Sequence, residues 1–214
     1  MTVWFFVSLL LGSVVFCAGL WIIHHTWHPS HEVSRKIVHI AHAVVIVGLS
    51  IITNYHTIII LEVLFFVIIL IARYWQLFPW MRQVGRLSAG EYLYPLSIIT
   101  LAILAPANWI FITAILNLGL ADGLAAVIGT TYGKGNSYHV FSHTKSLVGT
   151  GVFFVTVFLI TCWAMAYGAP TATHISWVVL IYLPILTTVV ENISLWGTDN
   201  ITVPLVTYVV LIML

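Results

Sequence analysis

Apolar runs separated by short polar segments fill almost the whole chain. A membrane-spanning helix needs about 20 consecutive, mainly apolar residues, and on that criterion the pattern predicts eight helices. They cover approximately residues 2–23, 34–53, 56–73, 90–105, 108–129, 147–167, 174–191 and 200–214. No remaining stretch is long and polar enough for a second domain. We therefore expect an all-α fold, a polytopic membrane helix bundle that forms one domain over residues 1–214.

The composition agrees with a protein that lies mainly in lipid. Of the 214 residues, 61% are hydrophobic and only 6% are charged, whereas about a quarter of a soluble domain is charged. The mean hydropathy is +1.10. The net charge of +1 leaves no basic surface for nucleic acid.

The positive charges alternate between the predicted loops. All seven lie in loops one, three and five or at the helix ends that border these loops, and loops two, four and six have none. They are Arg35, Lys36, Arg73, Arg82, Arg86, Lys134 and Lys145. Because Lys and Arg are enriched in cytoplasmic loops, this pattern predicts that the odd-numbered loops are cytoplasmic and that both termini lie outside. Five of the six acids lie at or near the same face, and Glu62 in mid-helix is the exception.

Some polar and aromatic residues have a structural interpretation as well as a functional one. Glu62 is a functional candidate by its depth, but it could equally be protonated and bonded to a neighbouring helix. The histidines between His24 and His31 could bind zinc, although Pro29 breaks their helical spacing and an interfacial role is favoured. Tryptophans near the predicted helix ends, Trp196 among them, are typical of an interfacial aromatic belt and indicate no catalytic role.

Asp122 is the acid whose position is most informative. It lies near the inner end of the fifth predicted helix, where a bare carboxylate is costly. The residues three, four and seven positions further on are small, and Gly119 and Gly123 form a GxxxG pair. This pattern is typical of close helix packing around one buried acid. Together with the loop after the helix, it favours a metal-binding acid with room beside it for a nucleotide.

A segment rich in glycine and lysine comes after that helix. It contains Gly129, Gly133 and Lys134, and further on Lys145, Ser146 and Gly149. Glycines let backbone amides approach phosphate oxygens, and a lysine supplies a point charge. The spacing differs from that of a Walker motif, so the loop alone is a weak indication of phosphate binding.

Two further segments carry candidate polar residues. In helix two, Arg35 and His39 share a face, and Arg35 with Lys36 could bind two phosphates or could be charges that reach the membrane surface. In the tail, Glu191, Asp199 and Asn200 offer the oxygen ligands that Mg²⁺ prefers. An Asn/Asp turn before the last helix would explain the same residues.

Taken together, four segments resemble the CTP-dependent lipid kinase family of dolichol, polyprenol and phytol kinases and the yeast-type diacylglycerol kinase. In the family's order, they are Arg35-Lys-Ile-Val-His39; Gly90-Glu-Tyr-Leu-Tyr-Pro-Leu96; Ala121-Asp-Gly with Gly133-Lys134 and Thr144-Lys-Ser-Leu-Val-Gly149; and Glu191 with Asp199-Asn-Ile-Thr-Val-Pro-Leu205. The last is similar to the Asp-Asn-Leu-Thr-Val-Pro ending typical of phytol-kinase-like proteins. One departure is Thr130, where relatives often have Arg or Lys after the glycine.

The resemblance implies Mg²⁺-dependent transfer of the γ-phosphate of CTP to the hydroxyl of a membrane lipid alcohol, with an isoprenoid alcohol favoured and diacylglycerol possible. On this hypothesis Asp122 and Asp199 bind Mg²⁺ with Glu191 and Asn200 in support. Arg35, Lys36, Lys134 and Lys145 bind the triphosphate with the backbone at Gly129, Gly133, Ser146 and Gly149. The base is Glu91, His39 or Asp122, and the active site lies on the cytoplasmic face.

Two other functions are compatible with parts of this pattern. The segment around Lys145 and Gly149 also resembles phosphatidate cytidylyltransferases, which use CTP, although the long C-terminal motif of that family is absent. A lipid-binding or transport protein without chemistry is the third hypothesis. Transporters usually place polar residues near the bilayer midplane, whereas here they are concentrated at one face.

Overall fold

The computed structural model describes residues 30–75, 89–141, 143–168 and 177–214. The helices in this part are α1 (His31–Ile52), α2 (Tyr55–Tyr74), α3 (Gly90–Leu104), α4 (Asn108–Leu116), α5 (Asp122–Tyr132), α6 (Leu147–Trp163), α7 (Trp177–Ile193) and α8 (Asp199–Ile212). Two strands, β1 (Ser137–Val140) and β2 (His143–Ser146), form an antiparallel hairpin. The predicted helix at residues 2–23, the histidines at 24–29 and the loop cations Arg82 and Arg86 lie outside the described residues.

The prediction of an all-α membrane protein is confirmed. Within the described residues, four helical stretches are long and apolar enough to cross a membrane: Glu32–Ile52, Tyr55–Tyr74, Asn108–Tyr132 and Leu147–Gly168. Three shorter apolar helices accompany them in the described part, at Gly90–Leu104, Val178–Ile193 and Asp199–Ile212. Many large apolar side chains point outward, as on Ile52 of α1 and Ile68 of α2. An outward apolar surface of this kind suits contact with lipid.

Polar caps set where several helices begin. The Ser30 hydroxyl accepts a bond from the Val33 amide at the start of α1. Asn54 caps α2 through the Thr57 amide, and Ser146 caps α6 through the Gly149 amide. Each cap satisfies an amide that has no partner within the helix. The starts of these three helices are therefore fixed by the side chains of Ser30, Asn54 and Ser146.

The predicted GxxxG pair brings the start of α5 and the residues just before it close to α1. A methyl group on Gly119 would overlap Ala43, and one on Gly123 would overlap the side chain of Ile40. The packing interpretation of this pair is therefore correct. Between α4 and α5 the chain forms a π-helical segment, Asn117–Ala121. A π-bulge shifts the helical phase of the residues beyond it, and the first residue beyond this one is Asp122.

Three polar side chains join α1, α2 and α3 within the apolar core. Glu62 is 1% exposed, and its Oε1 lies 2.9 Å from Nε2 of His42. The ring of Tyr94 lies against the His42 ring, with 5.5 Å between their centroids. The hypothesis that Glu62 is hydrogen-bonded to a neighbouring helix is thus confirmed. The hydrogen bond gives Glu62 a partner within the apolar core, where an unpaired carboxyl would be costly.

The segment predicted as a loop between helices five and six contains the short hairpin. In its register Tyr138 pairs with Lys145 and Ser137 with Ser146. The hairpin turns at Phe141, whose φ of 51° lies in the left-handed region. It leads directly into α6, so its pairing fixes where Lys145 stands relative to the helix ends.

Candidate active site at one end of the bundle

A cavity of about 560 Å³ lies where α1, α6 and α8 begin and where α5 and α7 end. Its volume is within the usual range for small-molecule sites. The structure brings eleven of the fourteen predicted site residues to its wall. They are Arg35, Lys36, Asp122, Gly129, Gly133, Lys134, Lys145, Ser146, Gly149, Glu191 and Asp199.

A buried ion pair forms the inner part of the cavity wall. The Lys36 ammonium donates to Asp122 Oδ2, and the two side chains are 4% and 7% exposed. The residues stand 86 positions apart in the chain. The π-helical segment ends immediately before the aspartate, and α1 supplies the lysine. Each charge is balanced by the other, which is required where water is scarce.

A second ion pair also lines the cavity. Lys145 Nζ is 2.5 Å from Glu191 Oε1 and also donates to the backbone carbonyl of that residue. The pair connects β2 with the end of α7. Next to it, the first turn of α6 lines the cavity at Ser146 and Gly149. Unpaired amides and the helix dipole make such a first turn favourable for anions.

The charges in the cavity wall balance. Four cations, Arg35, Lys36, Lys134 and Lys145, face four acids, Glu32, Asp122, Glu191 and Asp199. Arg35 and Glu32 form the third ion pair, at 2.9 Å. Among the described residues, Lys134 and Asp199 have no ion-pair partner within 4 Å. The site is thus close to neutral, although it is rich in both signs of charge.

Gly133 is needed where the end of α5 meets the start of α6. A methyl group there would overlap the Ser146 side chain and the carbonyl oxygen of Gly129. The Ser146 hydroxyl itself lies 3.3 Å from that carbonyl. The glycines of the predicted phosphate loop therefore let the two helix ends approach closely beside the cavity.

A tight turn between α7 and α8 carries Asp199 to the cavity. Trp196 and Gly197, which also line it, have φ angles of 53° and 86°. The left-handed region is rarely adopted by a bulky residue such as tryptophan. The Ala89 amide donates to the Trp196 carbonyl over 2.8 Å, and the Thr198 amide donates to Leu195 over 3.0 Å. These bonds hold the strained turn in place.

Three predicted site residues do not line the cavity. Glu91 pairs with Arg73 at the ends of α2 and α3. Asn200 is buried and donates to the Gly90 carbonyl over 3.1 Å, so it ties α8 to α3. His39 lies on α1 one turn beyond Lys36 and is 7% exposed. Its Nδ1 is buried and has no hydrogen-bond partner among the described residues.

Some features of the site have no clear signal in the sequence. The Tyr138 hydroxyl reaches Thr150 on α6 at 2.5 Å and also donates to Asn192 on α7. This network fixes the hairpin against two helices beside Lys145. Trp196 is conspicuous in the sequence, but its position near a helix end favoured the interfacial belt. Its place in the cavity wall depends on the fold of the turn.

The acids of the cavity suit a magnesium ion, to judge from their chemistry. Asp122, Glu191 and Asp199 line the cavity, but no group of three His, Cys, Asp or Glu residues in the described part is close enough to hold a metal by itself. Magnesium usually takes one or two carboxylates together with substrate phosphates and water. Two carboxylates facing a cavity with room for a phosphate fit that requirement.

The fold and the site define a helical membrane protein with a charged cavity of about 560 Å³ at one end of its bundle. The chain is 34% identical over 205 residues to a phytol kinase from Synechocystis sp., covering 91% of this chain and 84% of that protein. No family model matches the chain, and no solved structure matches it. At this identity and coverage the chain belongs to the phytol kinase family of membrane lipid kinases.

Proposed function

We propose that this protein transfers the γ-phosphate of CTP to the hydroxyl of a membrane lipid alcohol, and that an isoprenoid alcohol such as phytol, a polyprenol or dolichol is the acceptor. The observation that carries this proposal is the gathering of eleven predicted site residues in one cavity of a membrane protein. The similarity to a phytol kinase supports both the kinase activity and the proposed class of acceptor. The use of CTP rests on the family resemblance of the cavity segments.

The cations of the cavity bind the triphosphate in this proposal. Lys145 on β2 and Lys134, which lies between α5 and the hairpin, supply point charges, and Arg35 supplies a planar fork of donors from α1. The first turn of α6, which lines the cavity at Ser146 and Gly149, adds the positive end of a helix dipole. Phosphoryl transfer depends mainly on in-line positioning and charge neutralisation, which these groups provide.

Asp122 and Asp199 would hold Mg²⁺, with Glu191 in support. When bound, the ion would neutralise the charge that develops on the phosphate oxygens. Two of these acids already neutralise lysines within the protein. We therefore expect the nucleotide and the ion to bind together, because phosphates then take over the lysines as partners while the ion takes the acids.

The acceptor hydroxyl needs a base, and among the three candidates His39 is the one whose buried ring nitrogen, Nδ1, has no hydrogen-bond partner in the described part. Glu91 pairs with Arg73 away from the cavity, and Asp122 is bound by Lys36. A helix rises about 1.5 Å per residue, so His39 lies about 4.5 Å deeper than Lys36 along α1. In the transfer, the hydroxyl oxygen bonds to the γ-phosphorus as the bond to the β,γ-bridging oxygen breaks. Nδ1 accepts the hydroxyl proton, and CDP leaves.

The experiment that tests the function uses purified protein and labelled CTP. With label on the γ-phosphate and a panel of phytol, polyprenol, dolichol and diacylglycerol, we expect label on an isoprenoid alcohol and release of CDP. Pyrophosphate release with cytidine on the lipid would contradict the proposal and indicate a cytidylyltransferase. Absence of turnover with every acceptor, in protein that binds lipid, would favour a non-catalytic role. ATP in place of CTP tests the donor.

The topology of the proposal has eight membrane helices, both termini outside and the cavity on the cytoplasmic side. It is supported by the alternation of the cations and by the four cations that line the cavity. Single cysteines at Gly85 and Asn108 should label from opposite sides of the membrane. Labelling from the same side would contradict this layout.

A further inference from the structure

Trp196 places a large aromatic ring in the wall of the charged cavity. The side chain is 59% exposed, so most of its surface is free to meet a ligand. Other exposed aromatic residues, such as Trp75 at the end of α2, do not line the cavity. Position therefore distinguishes Trp196 from the aromatic residues that meet the membrane interface.

The backbone holds this ring in a conformation that tryptophan rarely adopts. With a φ of 53°, Trp196 is in the left-handed region, and Gly197 is there too. Strain of this kind persists only where the surrounding structure enforces it, and it occurs preferentially at ligand sites. Here the Ala89 amide anchors the Trp196 carbonyl. A tryptophan that served only as an interfacial anchor would not require this backbone.

The same turn carries Asp199, three residues further on, into the same cavity. The turn therefore presents a carboxylate and an aromatic side chain to the cavity, whose wall also contains Lys145 of β2 and the first turn of α6. A nucleoside triphosphate matches these groups, since its phosphates bind cations and its base offers a flat π-face for an aromatic ring. An aromatic ring at a nucleotide site binds the base by stacking.

We propose that the Trp196 indole is the stacking platform for the nucleobase of the phosphate donor. This inference rests on the proposed function, because it assumes that a nucleotide occupies the cavity. Stacking tolerates every base, since each base has a π-face. Trp196 therefore contributes affinity for the nucleoside part of the donor and does not select cytosine over uracil.

Direct binding measurements on the detergent-solubilised protein test this assignment. The ligands are CTP, UTP and inorganic tripolyphosphate, each with Mg²⁺, and the last has phosphates but no base. For Trp196→Ala we expect affinity for both nucleotides to fall by about 5- to 150-fold, the equivalent of about 1–3 kcal/mol of stacking. Affinity for tripolyphosphate should stay the same, and Trp196→Phe should retain most of the nucleotide affinity.

Two further variants separate stacking from effects on the turn. Trp196→Gly suits the left-handed backbone and removes the ring, so it should behave as Trp196→Ala does even if alanine distorts the turn. Trp75→Ala removes an exposed tryptophan outside the cavity and should leave the affinity for all three ligands unchanged. Equal losses of CTP and tripolyphosphate affinity in both Trp196→Ala and Trp196→Gly would overturn the proposal, as would an unchanged CTP affinity in these two variants. If the parent protein bound neither ligand, the proposed function itself would be wrong.

Discussion

Removing one partner of the Lys36–Asp122 pair should destabilise the protein, and removing both should restore most of the loss. The two side chains are 4% and 7% exposed, so each charge depends on the other. Breaking a buried pair by truncating one partner costs about 3–5 kcal/mol, because the remaining charge is uncompensated. For a chain of this size that corresponds to a fall in Tm of roughly 6–20 °C.

The perturbations are Lys36→Met, Asp122→Asn and the double variant. Methionine keeps much of the lysine's volume, and asparagine keeps the shape of the aspartate. In the double variant no charge is left unpaired, so we expect its Tm to lie well above that of either single variant. Its kinase activity should remain absent, because the proposed mechanism needs the aspartate for Mg²⁺.

Thermal unfolding in detergent and the labelled-CTP assay are the two measurements. Glu91→Gln is the matched control, because its pair with Arg73 is more exposed, at 19% and 44%. Exposed pairs are worth about 0–1 kcal/mol, so the control should unfold close to the parent. If the double variant lost as much stability as the two single variants together, the Lys36 and Asp122 charges would not stabilise each other. Normal turnover by Asp122→Asn would remove Asp122 from the metal site.

Three further predictions concern single side chains of the site. Lys145→Ala should raise the KM for CTP by about 10- to 150-fold, since a hydrogen bond to a charged group is worth about 1.5–3 kcal/mol. An increase in the KM for the lipid alone would instead place Lys145 at the acceptor site. Gly133→Ala should abolish activity because its methyl group would overlap the serine that caps α6, while Gly135→Ala, where a methyl group meets open space, should remain active. His39→Gln should lower kcat by about 10²- to 10⁴-fold, as expected for loss of a general base, with no change in the KM for CTP. An unchanged kcat would show that another group accepts the hydroxyl proton.

Local sequence patterns predicted the helices of the described part well. Hydropathy depends on the residues of one segment, and lipid accepts only segments that satisfy their own backbone bonds. The predicted boundaries 56–73 and 90–105, for example, differ by only one residue from α2 and α3. Hydropathy did not reveal the hairpin at 137–146 or the π-helical segment at 117–121, because a short polar loop and a phase shift leave its pattern unchanged.

The partners of the site residues were beyond the reach of sequence patterns. Lys36 and Asp122 are 86 positions apart, and Lys145 and Glu191 are 46 apart. Spacing could suggest that all four lie at one face, but it could not pair them. Asn200 was expected beside the metal-binding acids because it follows Asp199 in the sequence. In the structure its side chain turns inward and donates to the Gly90 carbonyl. Adjacent residues at a helix start point in different directions, so only the fold decides which one meets the cavity.

The balance of charge in the cavity can be explained by where the cavity is. An uncompensated group of cations at the end of an apolar bundle would repel itself and would be poorly solvated on its membrane side. Acids placed among the cations remove that penalty from the protein on its own, and Lys36–Asp122 and Lys145–Glu191 are the clearest cases. The same acids would repel a bare triphosphate. The proposed donor would therefore suit this site best when Mg²⁺ is already bound to its phosphates.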